Sequence, residues 1–257
     1  MHVVPPSWLR RLAPERRFEL RVVLFAVALV LVAVPFSYLL FEVIREGPFT
    51  RFDETTANDL HRQVVGNESL IRALHGISLL GKPLLLGACI AAGAIFAFVR
   101  ARRRLALFLV ITAIGGGLVD SAVKILVDRP RPVVEEPLAH AFGKSFPSGH
   151  AMSSTVTYGA LVLVFLPMIP RAWRWVVVGL TSLLVLAIGA SRLLLGVHFV
   201  SDVIGGYALG LAWLCGCAAL FNIWRVEEGR PKAEVVSEGL EPEAESDLTH
   251  SAESLPA

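Results

Sequence analysis

Residues 104–132 read RLALFLVITAIGGGLVDSAVKILVDRPRP. One helical crossing of a hydrocarbon layer takes about 20 mostly apolar residues, and this stretch supplies them before closing on Asp, Lys, Arg and two prolines. It is also preceded by Arg102 and Arg103. Such a segment is a membrane helix with charged ends, and the rest of the chain reads outward from it. Besides this span, at 104–126, similar runs lie near 22–43, 83–99, 151–169, 174–195 and 203–224. The expected fold is all-α, an integral membrane bundle of six transmembrane helices.

Composition agrees. The chain is 54% apolar and 18% charged, with a strongly positive mean hydropathy, which excludes an ordinary soluble domain. The run at 151–169 begins with Ser153, Ser154, Thr155 and Thr157, a polarity suited to a helix facing the bundle interior. The first run follows a basic stretch, but Arg21 begins it late and no small-x-small cleavage pattern follows. It reads as an uncleaved helix rather than a signal peptide. Cys89, Cys215 and Cys217 fall inside proposed spans, where thiols act as small apolar groups. Neither a disulfide framework nor a metal-binding spacing is present in the sequence.

Basic residues orient the bundle. Six crossings put both termini on one side, together with the turns near 100–104 and 170–174. That side collects Arg10, Arg11, Arg16, Arg17, Arg100, Arg102, Arg103, Arg104, Arg171, Arg174 and Arg225, and is expected to be cytoplasmic. Residues 1–21 form a basic cytoplasmic segment, 22–225 the membrane domain, and 226–257 a tail. The tail is rich in Glu and carries Pro231, Pro242 and Pro256; it buries too little to order itself and is expected to be disordered. Residues 50–80 on the outer side repeat Leu60, Val64, Leu70, Ile71, Leu74 and Ile77 among polar residues that include Asp53. They are expected to form one or two amphipathic helices at the interface, with His61 and His75 as surface or interfacial residues. Asn67-Glu68-Ser69 matches a glycosylation sequon, a weak pattern at this length.

The outer side holds few cations, and Lys124, Arg131 and Arg192 among them stand at the ends of apolar runs. Ionisable groups there are expensive and point to function. Asp120, Lys124 and Asp128 recur every four residues, which puts them on one helix face; they form either an ion-pair ladder or, with Arg131 on the stiff Pro130–Pro132 exit, part of an anion site. Pro147-Ser148-Gly149-His150 precedes the fourth span. Backbone amides at a helix start lack internal partners and bind anions. The tetrapeptide is thus either a plain helix start or a cradle, with Gly149 allowing close approach and His150 at its edge. Ser191-Arg192 close the fifth span, and His198 and Asp202 follow one helical turn apart. Asp202 can hold one imidazole nitrogen and leave the other free as nucleophile or base. A His–Asp metal pair is the competing reading, disfavoured because Lys124, Arg131 and Arg192 repel a cation.

Together these segments resemble the signature of the type-2 phosphatidic acid phosphatase superfamily. That signature is a Lys separated by six residues from Arg-Pro, then Pro-Ser-Gly-His, then Ser-Arg separated by five residues from a His that precedes an Asp by four. Each position is present in order, from Lys124 to Asp202. The resemblance implies a metal-independent phosphatase with no cofactor, acting on a membrane lipid phosphate through a phosphohistidine. His198 would be the nucleophile, Asp202 its orienting carboxylate and His150 the general acid and base. Lys124, Arg131, Arg192, Ser148 and the Gly149 amide would bind the phosphoryl oxygens. Phosphatidate, phosphatidylglycerophosphate and polyprenyl diphosphate all suit a site level with the headgroups of a bacterial cytoplasmic membrane, opening outward. The same superfamily includes lipid phosphotransferases and soluble vanadium haloperoxidases, the latter disfavoured by the membrane spans. A transporter with Asp120, Lys124 and Asp128 lining its path is the non-enzymatic alternative. The expected partners are the bilayer and the lipid, not nucleic acid, and oligomeric state is not specified.

Overall fold

The computed structural model describes residues 48–134 and 138–227 without interruption, together with positions 37, 38, 40–42, 45, 235 and 239–241. Among the described residues every regular element is helical: α1 Pro48–Val64, α2 Glu68–Leu79, α3 Pro83–Val99, α4 Arg103–Val127, α5 Gly149–Phe165, α6 Arg171–Leu194 and α7 Val200–Glu227. A short 3-10 turn, Leu166–Met168, extends α5.

Local chemistry sets these boundaries. Pro83 sits in the first turn of α3, where a missing N–H costs nothing. Pro170 is the residue before α6. Asn67 caps α2, its side chain accepting from Leu70 N at 3.1 Å, so the sequon-like Asn67-Glu68-Ser69 is a helix start in this fold. Asp128 ends α4 in the left-handed region, φ 54. It therefore leaves the face on which Asp120 and Lys124 lie, and ion-pairs with Lys144 instead. The expected three-residue ladder is reduced to a pair.

The described residues contain four helices long and apolar enough to cross a membrane, matching α4, α5 with its extension, α6 and α7. A fifth candidate is the pair α2 and α3, bent by 41°. The protein is accordingly an integral membrane protein. Of the six expected spans, 83–99 alone is only the 17-residue α3, and 22–43 lies almost wholly outside the described residues. The outer faces of α4 and α6 expose Ile111, Ile114, Leu118, Leu180, Leu183 and Leu186, as lipid contact demands. α5 is the central helix: 50% of its most apolar stretch is buried, against 28%, 22% and 33% for α4, α6 and α7. Its polar first turns fit that place, because Ser154 Oγ and Thr155 Oγ1 both donate to Ala151 O, at 3.1 and 2.8 Å.

Lipid is as apolar as leucine, so close packing of small residues holds such a bundle together. A Cβ at Gly206 would stand 2.7 Å from Ser148 O, and one at Gly210 2.9 Å from Met152 O. The pair lets α7 lie directly against the start of α5. On α4 a Cβ at Gly115 would meet the Trp213 ring at 2.3 Å, and that indole donates to Thr112 O at 2.8 Å. The main apolar cluster, with Leu105, Phe108, Leu109, Val164 and Phe221, fills one end of the bundle. The polar segments gather at the other. Leu240 joins that cluster, and Glu241 lies 3.6 Å from Arg102. These two positions of the expected disordered tail pack on the bundle, Leu240 covered by apolar neighbours and Glu241 drawn to the basic turn.

Candidate active site

α4 delivers Lys124 near its last turn, α5 begins at Gly149, and α6 and α7 are joined by a loop that carries His198. Gly196 turns this loop with φ +72. Asp202, fully buried, is the node of the site. Its backbone O accepts from Ser148 N at 2.9 Å, tying the Pro-Ser-Gly-His segment to the His–Asp segment. Its Oδ2 accepts from Phe199 N at 2.9 Å and from the Ser145 hydroxyl, and lies 3.3 Å from His198 Nδ1. Its Oδ1 accepts from Arg129 Nη1 at 2.7 Å.

The second imidazole nitrogen, His198 Nε2, lies 3.1 Å from Arg131 Nη1. A guanidinium has no acceptor, so Nε2 presents its lone pair and Nδ1 carries the proton given to Asp202. This is the tautomer a nitrogen nucleophile requires. Burial pushes the His198 pKa below the ordinary histidine value; the hydrogen bond and charge of Asp202 oppose this, while Arg131 and Arg192 add to it. The imidazole is therefore held neutral at neutral pH.

Arg131 donates all five of its N–H groups to the protein. Nε goes to Gly143 O at 3.0 Å, Nη1 to Val197 O at 2.8 Å as well as His198, and Nη2 to Phe142 O and Lys144 O at 3.1 and 3.2 Å. Burial lowers its pKa, offset in part by the charge of Asp202. Any phosphate oxygen on Arg131 must replace one of these acceptors. Lys124 Nζ donates to both oxygens of Asp120 at 2.6 Å. A Cβ at Gly149 would stand 3.1 Å from that Nζ, so the ammonium lies directly against the head of α5.

Three of the other expected site residues each present a buried side-chain atom that has no partner among the described residues. Ser148 Oγ, His150 Nε2 and Arg192 Nε make no hydrogen bond, although Arg192 Nη1 donates to Ser78 Oγ at 2.6 Å. His150 lies within electrostatic reach of Arg192, His198, Arg131 and Lys124. Ser148 precedes α5 but does not cap it with its side chain, which frees the hydroxyl for another acceptor. Each buried unpaired polar group costs about 1–3 kcal/mol. Three of them beside first-turn amides that have no intrahelical acceptor describe a cradle for an oxyanion. All eight expected site residues thus meet at one end of the bundle.

Residues 104–225 match the PAP2 superfamily, a segment that runs from the start of α4 almost to the end of α7 and contains every residue of the cradle. The chain carries a PAP2 superfamily domain. Phosphatidylglycerophosphatase B of Bacillus subtilis (strain 168) is 36% identical over 99 residues, which are 37% of this chain and 47% of that protein. The match therefore spans about half the length of this curated relative. The solved structure of a transmembrane PAP2 type phosphatidylglycerolphosphate phosphatase from Bacillus subtilis superposes with a TM-score of 0.68 at 27% identity. It covers 75% of this chain and 94% of that one.

Sequence reasoning missed several residues around the PAP2 signature. Arg129, 7% exposed, was passed over for Arg131 two positions on, yet it is the arginine that binds Asp202. Asp53 and Ser201 join it, and Ser145 and Ser78 support Asp202 and Arg192. His61 is buried against Gly196, whose Cβ would come 2.8 Å from its Nδ1, and neither ring nitrogen has a partner among the described residues. This corrects the expectation of a surface or interfacial side chain. The available signal was periodicity, because Asp53, Ala57, His61 and Val64, all buried, form one stripe on α1.

Proposed function

We propose that this protein is a membrane phosphatase that hydrolyses a lipid phosphate or diphosphate through a phosphohistidine, without a metal ion. The observation that carries the reading is a neutral, buried His198, its Nδ1 on Asp202 and its unprotonated Nε2 facing Arg131, beside three unpartnered buried atoms suited to an oxyanion.

In this reading His198 Nε2 forms a bond to phosphorus as the bond to the leaving oxygen breaks, and His150 gives that oxygen its proton. The charge of the arriving phosphate favours the protonated form of His150. Asp202 balances the positive imidazole formed in this step. Water, losing a proton to His150, then attacks phosphorus, the P–N bond breaks and inorganic phosphate leaves. Lys124, Arg131, Arg192, Ser148 and the Gly149 amide stabilise the nonbridging oxygens, most strongly where their charge is greatest. Three cations around one site oppose a divalent metal and favour a phosphate. The basic turns at 100–104 and 170–174, at the far end of the bundle, support an outward-facing site by the positive-inside rule. α1 and α2 then form the outer segment. The relative's name makes phosphatidylglycerophosphate the first substrate to try.

The test is phosphate release by purified protein in detergent with a chelator, offered phosphatidylglycerophosphate, phosphatidate and a polyprenyl diphosphate in parallel. Activity on at least one lipid that disappears in His198→Ala is expected. Activity that persists in His198→Ala, or that needs an added divalent cation, refutes the mechanism.

A further inference from the structure

A second layer of charge lies behind His198, on the side away from the cradle. Arg129 is held between two buried carboxylates. Its Nη1 donates to Asp202 Oδ1 at 2.7 Å and to Ser201 Oγ at 2.6 Å, and its Nη2 donates to Asp53 Oδ2 at 2.9 Å. Asp53 in turn accepts from Ser201 N at 3.0 Å and from the Ser201 hydroxyl. The guanidinium lies over the Phe199 ring, 4.2 Å from its centroid. Asp53, Ser201 and Asp202 are each 0% exposed. A closed polar cluster this deep fixes geometry, because each member is held by the others.

We infer that Asp53 and Arg129 are positioning residues for the reaction, acting through Asp202 on the His198 imidazole. This rests on the phosphatase reading above. Asp53 belongs to α1, outside the 104–225 segment that matches the PAP2 superfamily, so the signature does not contain it.

Two consequences follow from the geometry. One is alignment: Asp53 anchors the backbone at Ser201, inside the turn that joins His198 to Asp202, and fixes the fork of Arg129 against Asp202 Oδ1. The other is charge. Arg129 alone would neutralise Asp202. Sharing the guanidinium with Asp53 leaves the three-residue cluster one negative charge in excess, available to the imidazole when it becomes positive on phosphorylation. The other charged or titratable groups around His198 are Arg131, Arg192 and His150. His61 lies behind Gly196, and Lys124 stands across the cradle against Gly149. All of these stay unchanged in the variants below.

The experiment is steady-state phosphate release against pH for wild type, Asp53→Asn, Ser201→Ala, Arg129→Lys and His198→Ala, each checked for a monodisperse, thermally cooperative sample. Asp53→Asn should lower kcat about tenfold, less than the loss of a direct acid–base contact, with KM within about twofold because the cradle is untouched. It should also move the acid limb of kcat to lower pH, since a lost negative charge disfavours protonated His198. Arg129→Lys keeps the charge and loses the fork, so kcat should fall while the acid limb stays near that of wild type. If Asp53→Asn does not fold, Ser201→Ala carries the test with a smaller fall in kcat. Wild-type kcat and acid limb in whichever of these two folds, or a rise in KM alone, overturns the assignment. Phosphate release surviving in His198→Ala overturns the phosphatase reading itself, and this assignment with it.

Discussion

The two sides of His198 are built on opposite principles. Behind it, around Asp202, both carboxylate oxygens, the Arg129 fork and the Ser201 hydroxyl have partners. In front of it, Ser148 Oγ, His150 Nε2 and Arg192 Nε are buried with none among the described residues. The back wall is complete as the chain folds, whereas the front wall would be completed by the anion of the proposed reaction. A protein accepts unsatisfied buried donors where a ligand supplies the missing acceptor, so the asymmetry supports the place proposed above for the phosphate. Arg131 belongs to both sides, because it contacts His198 Nε2 while holding the carbonyls of Phe142, Gly143 and Lys144.

Substitution on each wall tests this contrast most severely. Asp202→Asn should reduce kcat by roughly 10⁴, the scale seen when the carboxylate behind a catalytic histidine becomes an amide and the wrong tautomer results. His150→Ala should cost about 10²–10⁴ in kcat through lost proton transfer. Equal rates for wild type and Asp202→Asn would show that the back wall does not serve the reaction.

A readout without turnover separates the walls further. Inorganic phosphate or orthovanadate at about 100 times its Kd should stabilise the wild type by about 2.7 kcal/mol, seen as a rise in Tm. Arg192→Ala should lose most of that rise, and Asp53→Asn should keep it. An equal loss in both variants would mean that the two walls are one unit.

The smallest expected effect is on pH dependence. The pKa of His198 is lowered chiefly by burial, and protonation removes its lone pair. Activity should therefore persist as pH falls through about 6.5, the ordinary histidine value, and disappear below it. An acid limb of kcat/KM above that value would show that the charge of Asp202 outweighs burial.

Much of this site is legible in the chain because its signals are local. Pro130 and Pro132 keep the chain from resuming a helix after α4, Ser148 and Gly149 start α5, and the turn from His198 to Asp202 brings their side chains together whatever surrounds them. The small pair Gly206 and Gly210, one helical turn apart in the chain, lies against α5 in the structure. Arg131 illustrates the limit. Its position in the signature marks a phosphate ligand, yet its five donors are taken up by carbonyls and His198, a fact set by the path of the 142–144 loop.

By itself, then, the sequence determined an all-helical membrane chain, most of the span positions and the eight residues that meet at one end of the bundle. Hydrophobic run length, proline stops and helix spacing are properties of neighbours in the chain. Only the tertiary structure decided that Arg129 turns inward, that Asp53 lies across from it 76 residues away in sequence, and that His61 is buried against Gly196. A buried charge is placed by the partner that compensates it. Here that partner comes from α1, a helix that the local pattern made amphipathic without saying what its polar stripe would meet.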